Sequence, residues 1–317
     1  MRRTTLRQLQ VFDAVARHMS FSHASRELHL TQPAVSLQIK QLEGLTSLPL
    51  FEQVGRKLFL TDAGETLLGH TRAILGAVAD AEEAMAALRG QRAGGPRVGV
   101  VSTAKYFAPH LLSAFGAGFP GVDLSLAVAN RGQIIADLAE NRIDLALMGR
   151  PPEDMKVEAS AFAPHPHVFI APPTHKLLGR KIPIEDLNGE TFLMREQGSG
   201  TRLLMERLMG EHGITAGRIM EMASNETIKQ AVMAGMGVSF LSRHTIGLEV
   251  SVGRLAILEV KDTPVRRDWF VVVRQGKKLL PVGEAFVAFL RHHGARLIEE
   301  ATRAQVPRRR RASSDKV

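Results

Sequence analysis

The stretch Thr31-Gln32-Pro33-Ala34-Val35-Ser36 constrains this chain most. Thr31 suits an N-cap, and Pro33 suits a first helical turn, where the amide it lacks has no intrahelical partner. The helix that follows buries Val35, Ile39 and Leu42, spaced by four and three. Its opposite face carries Pro33, Ser36, Leu37 and Lys40, with Gln32 and Gln41 at the margins. That face is small and, Lys40 apart, uncharged, so it can enter a major groove and read base edges.

Two helices are expected before it. Leu6, Leu9, Phe12 and Ala16 mark one face of the first. Ser20-Phe21-Ser22 precedes the second, where Ser22 is read as the cap and Ala24 and Leu28 point inward. Phe51 to Leu60 reads as a hairpin with Val54-Gly55-Arg56-Lys57 at its tip. A basic hairpin beside a recognition helix is a wing, and its Arg56 and Lys57 can reach the minor groove or phosphate. The expected DNA contacts are Ser22, His23, Thr31, Gln32, Pro33, Ser36, Leu37, Lys40, Arg56 and Lys57. A three-helix bundle that binds no nucleic acid has the same periodicity.

Charge placement favours the DNA reading. Of a formal net charge of +9, residues 1–60 carry eight Lys/Arg against four Asp/Glu, and residues 303–317 carry six against one. The excess sits at the two ends, where a polyanion binds. The Arg308-Arg309-Arg310-Arg311 run is either a solvated tail or a weak non-specific contact with nucleic acid. The chain has no cysteine, which excludes disulfides, thiolate metal sites and a Cys nucleophile. No apolar run nears the roughly 20 residues of a membrane span, and no secretory signal follows the basic N-terminus, so a cytoplasmic protein is expected.

From Asp62 to Arg89 the chain reads as one long helix. Leu67, Ile74, Ala81 and Leu88 recur at seven-residue steps, and Thr71, Val78 and Met85 do likewise four residues on. This is an a/d seam of about three heptads, expected to hold a homodimer or a dimer of dimers. A helix packed on its own domain is the alternative. Gln91 to Pro96 breaks the helix.

Residues 97–300 alternate strands and helices, which predicts an α/β region with mainly parallel sheets. The pattern restarts near Pro164-His165-Pro166-His167, and a second crossover is expected near Pro264-Val265-Arg266-Arg267. Two subdomains follow, one spanning about 96–165 and 268–300, the other about 166–267. A ligand belongs at the strand ends between them, where helix N-termini offer free amides. The expected lining is Ser102, Thr103, Asn130, Arg131, Arg150, Arg195, Thr201, Arg202, Asn225 and Glu226. Hydroxyls beside arginines suit an anion, although each lone Ser or Thr also reads as a plain helix cap. The domain plan is 1–61 winged helix-turn-helix, 62–90 linker helix, 91–302 effector domain and 303–317 basic tail.

Enzyme motifs are weak. Gly198-Ser199-Gly200 and Gly235-Met236-Gly237 are fragments of a dinucleotide loop without the full pattern. No Gly-x-Ser-x-Gly elbow appears. His165, His167 and His175 lie among prolines without helical pairing and read as loop residues, so neither metal nor cofactor is expected. A cytoplasmic α/β enzyme with an accessory DNA-binding domain is the competing class.

Ala24-Ser25-Arg26-Glu27-Leu28, Thr31 to Ser36, Ile39-Lys40-Gln41-Leu42-Glu43, Pro49-Leu50-Phe51-Glu52 and Leu60-Thr61-Asp62-Ala63-Gly64 resemble the LysR-type transcriptional regulators. The resemblance implies a winged helix-turn-helix, a dimerising linker helix and an effector domain like the periplasmic binding proteins. It also implies operator DNA as partner, with RNA polymerase as a further one. Leu50 to Lys57, Ser224 to Val232 and Leu241-Ser242-Arg243-His244-Thr245 resemble the branch that activates the Calvin-cycle ribulose-bisphosphate carboxylase operon, in which Gln53 is usual. That branch implies a phosphorylated metabolite or reduced nicotinamide nucleotide as effector. A LysR-type regulator of another metabolic operon stays open.

Overall fold

The computed structural model describes residues 3–89 and 95–304, in two compact units. The first holds helices α1 (Leu6–His18), α2 (Phe21–Glu27) and α3 (Gln32–Thr46), the hairpin β1 (Phe51–Val54) and β2 (Lys57–Leu60), and helix α4 (Asp62–Leu88). Val11, Phe12, Val15, Ala24, Val35, Ile39, Leu42 and Leu50 form its core. The three- and four-residue spacing of these side chains makes each helix one-sided, and burying the shared faces fixes the bundle.

The local signals act as read, with one correction. Thr31 caps α3, its hydroxyl accepting from the Ala34 amide at 3.3 Å. Ser20, not Ser22, caps α2 by accepting from the His23 amide. Ser22 lies inside the helix and donates to Gln32 Oε1 at 3.0 Å, tying α2 to α3. In the turn from wing to α4, Gly64 passes so close to Leu50 that a Cβ would lie 2.1 Å from its carbonyl oxygen. Only glycine allows that approach.

The linker seam divides. Leu67 is buried in the core of the helix-turn-helix unit, and Thr71 is fully buried. Ile74, Ala81 and Met85 are exposed and Val78 is half-buried. The first turns of the repeat therefore serve this unit's own packing, and the open apolar stripe begins at Ile74. The side chain of Leu88, residues 91–94 of the break and the basic tail from residue 305 on lie outside the described residues.

The second unit is mixed α/β. Strands β3 (Arg97–Val101), β4 (Ser125–Ala129) and β5 (Leu145–Met148) run parallel, with α5 (Ala108–Gly118) and α6 (Arg131–Ala139) between them. Strand β6 (Val157–Ala171) is continuous through Pro164-His165-Pro166-His167 and pairs antiparallel with β11 (Val265–Arg274). The expectation of mainly parallel sheets is thus half right, because both crossovers run antiparallel. The prolines are tolerated because β9 (Ser239–Ser242) joins β6 only from His167 onward, leaving that side of the strand open at 164 and 166.

Between β6 and β9 come β7 (Thr191–Arg195), α7 (Gly200–Glu211), β8 (Arg218–Met222) and α8 (Asn225–Met233). Short helix α9 (Gly247–Ser251) and strand β10 (Ala256–Ile257) precede β11, and α10 (Pro281–Ala304) closes the chain. Trp269, Phe107, Phe115 and Phe286 anchor one apolar core, while Phe169, Phe192 and Phe240 anchor another. Two cores joined by β6 and β11 make the two subdomains.

Candidate effector cleft and DNA-reading surface

A cavity of about 420 Å³ opens in the second unit. Ser102 and Thr103 follow β3, Asn130 and Arg131 follow β4, and Gly149 and Arg150 follow β5. From the other subdomain come Arg195 at the end of β7 and Ser199, Gly200 and Thr201 at the start of α7. A strand end followed by a helix start delivers backbone amides without intrahelical partners, so the loops that meet at this space can offer donors to an anion.

Arg195 is the organising side chain. It is 3% exposed, and its guanidinium donates to Glu196, to Asn225 Oδ1 at 2.7 Å and to Ser102 Oγ at 3.0 Å. Arg131 reaches the carbonyls of Arg150 and Pro151 and packs within 3.6 Å of where a Cβ on Gly200 would stand. Burial, and then the neighbouring Arg150, lower its pKa. Arg266 and Arg267 of β11 and Arg207 of α7 complete six arginines against two lining carboxylates, Glu153 and Asp268. Arg131, Arg266 and Arg267 form no ion pair with a carboxylate among the described residues. The cavity is therefore positive, with charge left over for a ligand.

Seven of the ten expected residues line this space: Ser102, Thr103, Asn130, Arg131, Arg150, Arg195 and Thr201. Three do not. Arg202 turns away to Glu206 and Glu221 and to the Arg195 carbonyl. Asn225 holds Arg195 from behind. Glu226 accepts from the Tyr106 hydroxyl and pairs with Lys229. Burial would raise the Glu226 pKa, but those two bonds prevail and lower it. Each of the three opens a helix in sequence, and only the tertiary fold sets which way its side chain leaves.

Sequence reasoning missed His165 and His167. They lie on β6, not in a loop, are 5% and 3% exposed, and line the cavity. His165 stacks on Trp269 with ring centroids 3.7 Å apart, and Trp269 Nε1 donates to His244 Nδ1. Their alternation with prolines was the available signal, because period two marks a strand. His175 lies elsewhere, 3.5 Å from Glu190.

In the first unit, Gln32, Pro33, Leu37 and Lys40 are exposed and Ser36 is half-buried. Positions 33, 36, 37 and 40 share one helical face. Ser22, His23 and Thr31 are also exposed. Arg56 and Lys57 are exposed on the hairpin, where Gly55 at φ 63° makes the turn. Lys40, Arg56 and Lys57 form no ion pair among the described residues, so their charges are available to phosphate.

Comparison with known proteins decides the family. Residues 6–65 match the bacterial regulatory helix-turn-helix of the lysR family, and residues 89–295 match the LysR substrate binding domain. The chain belongs to the LysR family. Members of that family are transcriptional regulators that bind operator DNA, and this LysR-type protein is a regulator rather than an enzyme. The HTH-type transcriptional regulator CbbR of Rhodospirillum rubrum is 65% identical over 286 residues, covering 90% of this chain and 95% of that one. The RuBisCO operon transcriptional regulator of Allochromatium vinosum is 47% identical over 294 residues, covering 92% and 97%. Among solved structures, the Synechocystis PCC6803 CcmR regulatory domain in complex with 2-PG is 41% identical with a TM-score of 0.61. It covers 63% of this chain and 96% of that one. No helix among the described residues is long and apolar enough to cross a membrane.

Proposed function

We propose that this LysR-type regulator activates a Calvin-cycle carbon-fixation operon in response to a small phosphorylated metabolite held in the cleft. The observation that carries the effector reading is the cavity itself, with six lining arginines, two carboxylates and the start of α7. Anions bind such sites through charge-assisted hydrogen bonds and free helix-start amides. At about 420 Å³ the cavity falls in the lower part of the roughly 300–1,000 Å³ range of small-molecule sites, which favours a small metabolite over a dinucleotide. The name of the Allochromatium vinosum relative and the 2-PG bound to the Synechocystis domain support the operon and the ligand class.

Pro33, Ser36, Leu37 and Lys40 then read base edges, while Arg56 and Lys57 hold phosphate. The stripe Ile74, Val78, Ala81 and Met85 pairs two copies, so that two modules read an inverted repeat. The test is a footprint on the promoter upstream of the ribulose-bisphosphate carboxylase genes, with and without 2-phosphoglycolate and related phosphate esters. Protection of that promoter over random DNA, changed by at least one ester, is expected. Equal affinity for both DNAs would overturn the operon assignment. An unaltered footprint with every ester would overturn the effector assignment.

A further inference from the structure

The two subdomains of the effector unit are tied together at a second point, outside the cleft. Tyr106 ends a short 3-10 turn, Ala104–Tyr106, that follows β3, and its hydroxyl donates to Glu226 Oε1 in the first turn of α8. Its ring lies over Lys229 of the same helix, with Nζ 4.9 Å from the ring centroid. Lys229 is a buried cation, 3% exposed, held by Glu249 at 2.8 Å, Glu226 at 3.0 Å and the Thr245 carbonyl at 3.1 Å. The turn packs on the core around Phe107 and Trp269, whereas α8 packs on the other subdomain through Ile228 and Val232. None of Tyr106, Glu226 and Lys229 lines the cavity. Ser102 and Thr103, which do line it, precede Tyr106 on the same connection, and Asn225, which holds Arg195, is the neighbour of Glu226. The bonds Arg195–Ser102 and Tyr106–Glu226 therefore meet the same two segments, 102–106 and, through Asn225, 225–226. Parting the subdomains would break a hydrogen bond to a carboxylate and strip an aromatic face from a buried cation, a contact worth most where water is excluded.

We propose that Tyr106 is a positioning residue for the effector response, clasping Glu226 and Lys229 across the subdomain junction and so holding the pose in which the cleft loops meet around the ligand. This rests on the effector reading above and extends it. Tyr106 touches no ligand. It sets the share of molecules in the binding-competent pose, and the apparent dissociation constant rises as that share falls. Burial, and then the Glu226 carboxylate, raise the Tyr106 pKa, so the hydroxyl stays protonated and donates. The effector in turn draws molecules into the clasped pose, because a ligand that prefers one pose shifts the population toward it.

The test uses the full chain and 2-phosphoglycolate. The chain has one tyrosine, so meta-fluorotyrosine places a single fluorine label at position 106. Fluorine spectra of the otherwise unaltered protein, which do not depend on how a variant folds, should show that resonance shifting as the ester saturates the cleft. Calorimetry should give a dissociation constant about threefold higher for Tyr106→Phe, which keeps the ring over Lys229, and about tenfold higher for Tyr106→Leu, which keeps neither contact. Ser102, Arg195 and Thr201 are intact in both variants. A merely structural role would lower their melting temperatures and leave the dissociation constants alone. A fluorine resonance that ignores saturating ester, or dissociation constants in both variants equal to that of the unaltered protein, overturns the Tyr106 assignment alone. Failure of 2-phosphoglycolate and related phosphate esters to bind the unaltered protein overturns the effector reading and this inference with it.

Discussion

Arg195 Nη2 donates to Ser102 Oγ at 3.0 Å, joining the end of β7 in one subdomain to the end of β3 in the other. The same guanidinium holds Glu196 and Asn225 and is almost fully buried. A ligand that accepts from the Ser102 hydroxyl joins a network that already spans both subdomains, so occupancy of the cleft bears on their relative pose. Such coupling shifts a population only by the ligand's differential affinity for the two poses. Thr201→Ala and Ser102→Ala should therefore lose most of the metabolite response, while operator binding by the separate first unit persists. Calorimetry and footprinting on one preparation check this. Full metabolite affinity in both variants would remove these hydroxyls from the site.

On the DNA side, Gln32→Ala and Ser36→Ala should weaken operator binding more than binding to random DNA. Each lost base contact costs ~1–3 kcal/mol of discrimination. Competition gel shifts at fixed salt measure it. An equal loss on both DNAs assigns these side chains to backbone contacts.

The linker helix gives two opposite expectations along one repeat. Ile74→Asp and Met85→Asp place a charge on the exposed stripe and should shift sedimentation toward monomer without unfolding the first unit. Leu67→Asp buries a charge in the helix-turn-helix core and should lower that unit's thermal stability instead. Unchanged assembly in both exposed-stripe variants would place the dimer contact elsewhere.

The histidine layer predicts acid sensitivity. Burial holds His165 well below the ordinary imidazole range, and it takes His167 down to about 3 and His244 to about 4. These groups are neutral when folded and protonate near 6.5 when unfolded, so the unfolded chain binds more protons as pH falls. Their contribution to stability is complete above about pH 6.5 and is lost progressively toward the folded values. The denaturation midpoint of the effector unit should fall between pH 6.5 and 5, before most carboxylates titrate. Thermal melts of the unaltered protein and His165→Phe compare the slopes, and the variant should be the flatter. A flat profile for the unaltered protein in that window would contradict the neutral, buried layer.

Legibility followed the range of the interaction. Thr31, Pro33 and the Val35, Ile39, Leu42 spacing act within one helix, so the sequence alone located α3 and its outward face. The wing was equally local, set by Gly55 and the strands on either side. The second cap moved from Ser22 to Ser20 because both serines can cap, and the choice depends on where α2 begins. The heptad repeat was visible from Leu67 onward, yet periodicity cannot distinguish a helix facing its own core from one facing a second copy. At Leu67 the core won.

The sequence by itself determined most of the order of elements, the two crossovers and the loops that end at the cleft, because strand ends, caps and glycine turns are written in neighbouring residues; it did not mark β8 or β10. Only the tertiary structure decided which side chains of those loops face inward. Arg202 is captured by Glu206 and Glu221, whereas Arg131, with no carboxylate pair among the described residues, borders the cavity. It also turned Pro164-His165-Pro166-His167 from an apparent loop into a strand whose two histidines are buried, with His165 stacked on β11's Trp269 and set close against Gly149. Those partners lie over a hundred and sixteen residues away respectively, and side-chain direction at such separations is set by packing, which no local pattern encodes.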